Sequence, residues 1–227
     1  MKQIYFAIAA IAVVICSVAA PAQAQVENPW RGFYAGLNGG YAWQSANGTF
    51  NSATGLSGID LNGGIVGGQL GYNWQSNQFL FGIEGDASTL AEGGSTIVAN
   101  PGTPGAASLS ADMKYLASVR ARLGWAINNW LLYGTIGWGF GEFKFKEEAP
   151  SIPFDGKIRV NDNGLVYGGG VEWLVAYGVS LRAEYLRYDL TAGSSISTSF
   201  PSADPGAHVG FDNVDVARAA LNIKLGH

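Results

Sequence analysis

Apolar residues recur at every second position through most of the chain after residue 24. In the segment 32–44, Phe33, Leu37 and Tyr41 belong to one set, and Asn38 and several glycines belong to the other. A period of two is that of a β-strand, whose successive side chains face opposite sides of the sheet. A helix would repeat its apolar residues at three and four positions, and each glycine inside it would cost about 1 kcal/mol. The pattern therefore predicts strands.

The same alternation predicts eight strands in all. They cover residues 32–44, 64–75, 79–87, 114–125, 130–143, 164–175, 179–185 and 217–225. After the seventh strand, the alternation slips near residues 186–188, which predicts a bulge or the edge of a membrane at that point.

The face of the strands that does not carry the large apolar residues, here called the second face, distinguishes between two all-β architectures. A soluble β-sandwich would pack its aromatic face into a core and place charged side chains on the other face. Here the second face is mostly glycine with a few charges, and small side chains are what the narrow lumen of a small barrel requires. We therefore predict an all-β fold, an eight-stranded antiparallel transmembrane β-barrel of up-and-down topology, with its aromatic face toward lipid.

The connections between the predicted strands alternate in length. Three short turns fall at residues 75–78, 127–129 and 176–178, and four long loops fall at 45–62, 88–111, 142–161 and 189–213. In barrels of this kind the short turns face the periplasm and the long loops face the outside. Both chain ends then lie on the periplasmic side, which requires an even number of strands.

The N-terminus carries the features of a cleaved export signal. Lys2 precedes an uncharged apolar stretch at 4–20, and a small-x-small pattern ends at Ala24, so we predict a signal peptide at 1–24 and a single barrel domain at 25–227. The lone cysteine, Cys16, lies inside this signal, and the Ile15 before it argues against a lipoprotein signal. The part after residue 24 therefore lacks thiols for disulfides or thiolate metal sites.

Composition agrees with an exported membrane barrel. Hydrophobic residues make up 48% of the chain and charged residues only 13%, and there are 33 glycines, all after residue 24. Ordinary soluble domains are about 25% charged. The net charge of −4 argues against nucleic-acid binding, which requires a basic surface.

Nine charged residues fall on the predicted lumen face. They are Glu84, Asp86, Arg120, Arg122, Glu172, Arg182, Glu184, Arg218 and Lys224. Charges enclosed by a low-dielectric wall must be paired or hydrated. We expect an ion-pair network that fills the barrel, because eight strands leave a lumen just wide enough for side chains. A narrow polar pathway for ions is the alternative.

Four tryptophans lie beside the predicted short turns: Trp74, Trp125, Trp130 and Trp173. Aromatic residues gather at membrane interfaces, so we predict that these four form the periplasmic aromatic belt. Bulky strand residues without an interfacial role are the alternative.

Catalytic chemistry has little support in the sequence. The two histidines, His208 and His227, lie in the last long loop and at the C-terminus, without a strand-borne nucleophile or a metal-ligand spacing. We therefore predict no enzyme, no cofactor and no metal site.

Several segments resemble the alphaproteobacterial outer-membrane immunogenic proteins. The resembling stretches are 30–41 (WRGFYAGLNGGY), 67–74 (GGQLGYNW), 81–86 (FGIEGD), 119–124 (VRARLG), 132–135 (LYGT) and 181–186 (LRAEYL). The resemblance implies an eight-stranded, porin-like outer-membrane barrel, in a family whose members include surface antigens and, in some branches, haemin binders. It brings no catalytic residues. Leu225 departs from the pattern, because such chains usually carry an aromatic residue near the C-terminus.

Together these observations predict a structural surface protein of the outer membrane. The alternatives are a narrow porin for ions or small solutes, a surface receptor for haemin or a host ligand that binds through the long loops, and a lipid-modifying barrel enzyme. The expected partners are outer-membrane lipid and lipopolysaccharide, the barrel-assembly machinery during biogenesis, and host ligands or haemin at the loops.

Overall fold

A computed structural model describes residues 28–44, 62–92, 95–99, 107–149, 154–190, 196–197, 208–209 and 213–225. The predicted signal peptide lies outside these residues. Within the described part of the chain, no helix is long and apolar enough to cross a membrane.

Eight long strands build the described structure. They are β1 (Gly32–Gln44), β2 (Gly63–Ser76), β3 (Phe79–Glu92), β4 (Ala107–Ile127), β5 (Trp130–Ala149), β6 (Phe154–Ala176), β7 (Val179–Asp189) and β8 (Val214–Leu225). A short strand at Ser95–Ala99 also pairs with β4, and Ile196–Ser197 pairs with His208–Val209.

The eight strands close into an antiparallel barrel. Each strand pairs with its neighbour in the chain, and β1 pairs with β8 from Phe33↔Leu225 to Gln44↔Val214. Closure satisfies the backbone donors and acceptors of every strand, which a sheet in lipid cannot leave open. The predicted up-and-down barrel is confirmed.

Two-residue turns join β2 to β3, β4 to β5 and β6 to β7. Asn77, Asn128 and Gly178 have positive φ angles in these turns. Asparagine and glycine tolerate this left-handed region better than other residues do, which explains their presence here. We call the end of the barrel with these turns the turn end, and the opposite end the loop end.

Strands extend well into two of the predicted long loops. β5 and β6 stay in register from Trp130↔Trp173 to Ala149↔Phe154, so most of the predicted loop at 142–161 is a β-hairpin. Likewise, β3, the strand Ser95–Ala99 and the start of β4 occupy much of 88–111. The loop predicted at 142–161 was wrong because lysines replace apolar residues in the alternation beyond Phe143, and a polar segment resembles a loop.

The outside of the barrel is apolar along the middle of the strands. Leu37, Leu70, Leu123, Leu132 and Ile136 are each more than half exposed. Exposure of large aliphatic side chains on this scale is expected where lipid, not water, surrounds the protein.

Near the loop end of β7, the alternation continues where the sequence indicated a slip. Leu186 and Tyr188 are buried inside the barrel, and β7 has no register shift against β6 or β8 at these positions. The alternation only looks broken because the inward set becomes apolar there while Arg187 takes an outward position. A bulge does occur elsewhere, between Met113 and Tyr115, and the side chain of Lys114 at that bulge is exposed.

Gly137 shows why glycine dominates the inner wall. A Cβ atom at this position would lie 2.1 Å from the carbonyl oxygen of Val119 and 2.6 Å from Cα of Arg120. On the outer wall, a Cβ at Gly134 would meet its nearest atom only at 3.9 Å. The inner glycine is therefore required for the close approach of β4 and β5, beneath the side chain of Arg120.

Candidate functional site: the barrel lumen

The inward side chains change character along the barrel axis. Read from the turn end to the loop end, the inward residues of β7 are Ser180, Arg182, Glu184, Leu186 and Tyr188, and Leu190 follows the strand; all of them are buried. The inward residues of β8 follow the same order as Asn222, Ala220, Arg218, Val216 and Val214. The lumen is therefore layered, with charged groups at its centre and apolar groups toward the loop end.

Eight of the nine predicted lumen charges meet in one layer, which we call the central layer. Its members are Glu84, Asp86, Arg120, Arg122, Glu172, Arg182, Glu184 and Arg218. All eight are buried, and their four carboxylates balance four guanidinium groups. A balanced set avoids the large cost of leaving a net charge inside a low-dielectric wall.

Glu84 contacts four arginines from three strands, the most distant of them Arg218, whose Nη2 lies 3.9 Å from Oε1. Its Oε1 lies 2.5 Å from Nη2 of Arg120, and its Oε2 lies 2.6 Å from Nη1 of Arg182 and 3.5 Å from Nη1 of Arg122. Because β3 and β4 are neighbours, the pairs with Arg120 and Arg122 follow the barrel wall, whereas the pair with Arg182 on β7 crosses the lumen.

A second group of contacts lies toward the loop side of Glu84. Arg218 Nη1 lies 2.9 Å from Asp86 Oδ2, and Arg218 Nη2 lies 2.7 Å from Glu184 Oε2. Arg120 joins the two carboxylates, because its Nη2 and Nη1 each lie 3.0 Å from Asp86 and Glu184 respectively. Ser118 also donates a hydrogen bond to Asp86.

Glu172 closes the central layer on the turn side. Its Oε2 lies 3.0 Å from Nη2 of Arg122 and 3.1 Å from Nε of Arg182. Its other oxygen accepts hydrogen bonds from Ser180 and from Nδ2 of Asn222. Both carboxylate oxygens are therefore satisfied, as a buried carboxylate requires.

Two tyrosines belong to the central layer that the sequence did not single out. Tyr34 donates to Glu84 over 2.5 Å and accepts from Nη1 of Arg122 over 2.6 Å. Tyr133 donates to Glu184 over 2.7 Å, and its ring lies 4.0 Å from the guanidinium carbon of Arg122. Alternation places both residues on the lumen face, but it does not reveal that their hydroxyl groups reach the charges.

Lys224 differs from the other predicted lumen charges. It lies at the turn end, where its Nζ is 3.5 Å from the backbone oxygen of Pro29. It is therefore set apart from the central layer, and the prediction that it joins the network is corrected on this geometry.

Apolar side chains cover the central layer at both ends. The outer apolar layer, at the loop end, consists of Leu116, Val166, Leu186, Tyr188, Leu190, Val214 and Val216. The inner apolar layer, at the turn end, consists of Trp30, Leu80, Ala126 and Leu131, with Leu174 and the ring of Tyr133 from the central layer packed against it. On the β1–β3 side, inward residues stay polar, and hydrogen bonds connect Ser88, Asn38, Gln69 and Asn222 to Glu172.

The four predicted interface tryptophans lie on the outer surface beside the turns. Trp130 and Trp173 stack with their ring centroids 5.6 Å apart, and Trp74 stacks on Phe81 at 5.5 Å. Trp125 packs edge-on against Phe79 at 4.5 Å. The rings therefore form paired contacts across neighbouring strands, and their role at the membrane interface stays a prediction.

A closed antiparallel barrel with an apolar outside and a filled polar centre defines the class of outer-membrane β-barrels. Residues 9–219 match the family described as the outer membrane protein beta-barrel domain, and the chain belongs to that family. It resides in the cell outer membrane.

Relatives from alphaproteobacteria confirm the resemblance seen in the sequence. The chain is 34% identical to the 31 kDa outer-membrane immunogenic protein of Brucella melitensis, over 97% of this chain and 95% of that protein. It is 32% identical to the 22 kDa outer membrane protein of Rhizobium leguminosarum, over 73% and 70% of the two chains.

A solved structure similar to this chain is Ail, the attachment invasion locus protein of Yersinia pestis. The TM-score is 0.48 and the identity 17%, with 86% of this chain and 99% of that one covered. The family match and the curated relatives show that the chain is an outer-membrane surface protein.

Proposed function

We propose that this protein is a structural component of the outer-membrane surface whose lumen does not conduct. The single observation that carries the proposal is the order of the layers. A charged layer spans the lumen, and apolar side chains lie on both sides of it along the barrel axis.

The contacts of the central layer favour a fixed structural role over a pathway for ions. A permeating ion would have to displace partners from carboxylates that already hold two or three hydrogen-bonded arginines, as Glu84 and Glu184 do. It would also have to cross the outer apolar layer, where Tyr188 is the one residue named with a polar side-chain atom, and that is costly for any charged species. Both barriers act in series.

The outer surface fits a barrel that is held firmly in the membrane. Trp74, Trp125, Trp130 and Trp173 would mark the periplasmic interface, with the apolar band above them in lipid. Binding of haemin or a host ligand stays a prediction, because most of the connections at 45–62 and 189–213 lie outside the described residues.

Ion flux from sealed vesicles tests the closed lumen. The mature chain is refolded into vesicles loaded with potassium chloride. Protein recovered from the same vesicles is run on a gel with and without boiling, and a shift in its mobility shows that it is folded and inserted. We expect potassium chloride to leave these vesicles no faster than it leaves vesicles loaded in the same way but without protein. Steady efflux that scales with the amount of inserted barrel would establish a porin and overturn the proposal.

A further inference from the structure

The chain folds back beneath the barrel just before β1 begins. Residues 28–31, which we call the plug, lie outside the barrel's sheet, because the pairing of β1 starts at Gly32 with β2 and at Phe33 with β8. Asn28 has a φ angle of 63° and Gly32 one of 123°, so a residue with positive φ stands at each side of this turn. The two turn the chain sharply and bring Trp30 under the lumen.

Trp30 fills the turn end of the lumen. Its side chain is 6% exposed and packs in the inner apolar layer with Leu80 of β3, Ala126 of β4 and Leu131 of β5. β4 and β5 are on the far side of the barrel from β1, whose neighbours are β2 and β8. The indole therefore reaches across the mouth of the barrel and shields this layer from water.

Polar contacts connect the plug to the strands on either side of β1. The backbone N–H of Trp30 donates to Oε1 of Gln75 on β2 over 2.9 Å. On β8, Nζ of Lys224 lies 3.5 Å from the backbone oxygen of Pro29. Nε2 of Gln75 also donates to the backbone oxygen of Asn77 in the adjoining turn, which fixes the orientation of this side chain. Together with the packing of Trp30, these contacts link the plug to strands around the whole turn end.

The plug is held less firmly than the barrel that it closes. Each long strand pairs with a neighbour on both sides, whereas the plug pairs with none of them. Among the described residues, none accepts a hydrogen bond from Nε1 of Trp30, and a buried donor without a partner offsets part of the stability that burial supplies. Segments with few backbone hydrogen bonds open locally while the rest of a protein stays folded.

Gly32 is the point at which the plug can turn without disturbing β1. Its φ angle of 123° lies in a region that glycine enters freely and other residues rarely adopt. A Cβ atom there would lie 3.2 Å from Cε of Lys224, so a side chain would also press on the strand beside the plug. Glycine therefore serves both as the hinge and as the space that the hinge needs.

We propose that residues 28–31 are a hinged plug, which closes the turn end of the lumen and swings out at Gly32 while the barrel stays folded. The open state gives the periplasm access to the inner apolar layer, since short turns face that side. The central layer still blocks the passage of ions. The role of the plug rests on the proposed closed lumen, because it assigns closure of the turn end to a movable segment and not to the barrel wall.

Labelling of a single thiol behind the plug is the test. Ala126→Cys places a cysteine in the inner apolar layer of the predicted mature chain, which otherwise lacks cysteine. A charged methanethiosulfonate reagent is added to the folded barrel in detergent, and the rate of modification is measured. We expect slow modification when the plug is intact. Trp30→Ala should raise the rate about a hundredfold, because the buried indole supplies most of the free energy that holds the plug in place.

Two further variants separate the plug from the fold. Gln75→Ala keeps the indole but removes the acceptor of the Trp30 N–H, and it should raise the rate about tenfold. Trp125→Ala removes an indole at the same end of the barrel, but from the outer surface, where the ring is 43% exposed. It should leave the rate unchanged. The mobility shift on boiling verifies that each variant is folded.

A second thiol position detects a general loosening of the barrel. Val216→Cys lies in the outer apolar layer, far from the plug, and should stay unmodified in the parent chain and in Trp30→Ala. Modification of both thiols in Trp30→Ala would show a loosened barrel and would overturn the hinged plug.

Other outcomes would also overturn the plug. Fast modification of Ala126→Cys with the plug intact would show that the turn end is already open, and an unchanged rate in folded Trp30→Ala would show that Trp30 does not close it. The plug and the closed lumen fail separately. Efflux of potassium chloride from vesicles with the parent chain would refute the closed lumen, whereas equal labelling rates without efflux would refute only the plug.

Discussion

The central layer and the outer apolar layer are built by the same strands and the same inward positions, yet they depend on different physics. In the central layer, each side chain has specified partners, as Arg120 has in Glu84, Asp86 and Glu184. In the outer apolar layer, Leu186 and Val214 need only neighbours that fill the space. The first layer is therefore sensitive to charge and geometry, and the second to volume.

The difference also gives each layer a separate part in the structure. Ion pairs across the lumen connect strands that are distant in the sequence, such as β3 and β7 through Glu84 and Arg182. The apolar side chains keep water away from these pairs, and ion pairs are stronger where water is excluded. Neither layer would serve alone, because an unsealed ionic centre would be hydrated and a wholly apolar lumen would lack specific cross-barrel contacts.

The largest expected effect comes from neutralising Glu84. Glu84→Gln leaves Arg120, Arg122 and Arg182 with one carboxylate fewer in a buried layer. Breaking a buried ion pair from one side costs about 3–5 kcal/mol. We expect urea unfolding in detergent, monitored by tryptophan fluorescence, to show that the free energy of unfolding falls by this amount. An Arg120→Gln variant should show the same loss. Resistance to urea equal to that of the parent chain in both variants would refute the network.

A smaller but still large effect is expected in the outer apolar layer. Leu186→Ala removes a fully buried side chain and leaves a cavity, which costs about 2–5 kcal/mol. Leu132→Ala on the lipid face is the control, because lipid chains can fill the space that it leaves. Urea midpoints of the two variants give the comparison. Equal losses at both positions would mean that Leu186 is not packed inside the barrel.

The inner wall should be more sensitive than the outer wall to a single added methyl group. Gly137→Ala forces a Cβ against the backbone of β4, and overpacking of this kind costs about 1–3 kcal/mol. Gly134→Ala adds the same atom on the lipid face, where there is room, and should change stability by less than about 0.5 kcal/mol. The measurement is the temperature at which each variant loses its folded band on gels of unboiled samples. We expect Gly137→Ala to lose it at a lower temperature than Gly134→Ala, and the reverse order would contradict the assignment of faces.

The smallest effect is expected for an ion pair of similar chemistry outside the lumen. Arg187 Nε lies 3.6 Å from Asp215 Oδ1 on the outer surface, and the Arg187 side chain is 40% exposed. Pairs that water can reach contribute about 0–1 kcal/mol, so Arg187→Gln, which leaves the hydrogen bond from Tyr185 to Asp215 in place, should hardly change the urea midpoint. A loss as large as that of Glu84→Gln would show that burial does not distinguish the two sites.

Alternation predicted the strands and their two faces, and the small residues of the inward face then predicted the barrel. Glu84 and Arg120 were placed in the lumen because every second residue around them is apolar, and that reasoning needs no knowledge of their partners. The partners could not be predicted, since the stagger between strands decides that Glu84 reaches Arg182 on β7. The contributions of Tyr34 and Tyr133 depend on the same stagger.

The predictions fail at the loop end, where the polarity of the two faces reverses. Leu186 and Tyr188 face inward there, while Arg187 and the positions of Lys144 and Lys146 lie on the outer face. A pattern based on a lipid exterior interprets this reversal as a slip or a loop. Had the period of two been followed without regard to which set is apolar, the longer strands β5 and β6 would have been predicted.

Access of water-soluble reagents to the lumen tests the central claim most directly. The predicted mature chain lacks cysteine, so Ala220→Cys places a single buried thiol beside Arg218 and Asn222, and Ser76→Cys places one at an exposed turn. We predict that a charged methanethiosulfonate reagent modifies Ser76→Cys within minutes, and modifies Ala220→Cys only after unfolding in urea. Modification of Ala220→Cys in the folded barrel at the rate of Ser76→Cys would contradict a sealed lumen.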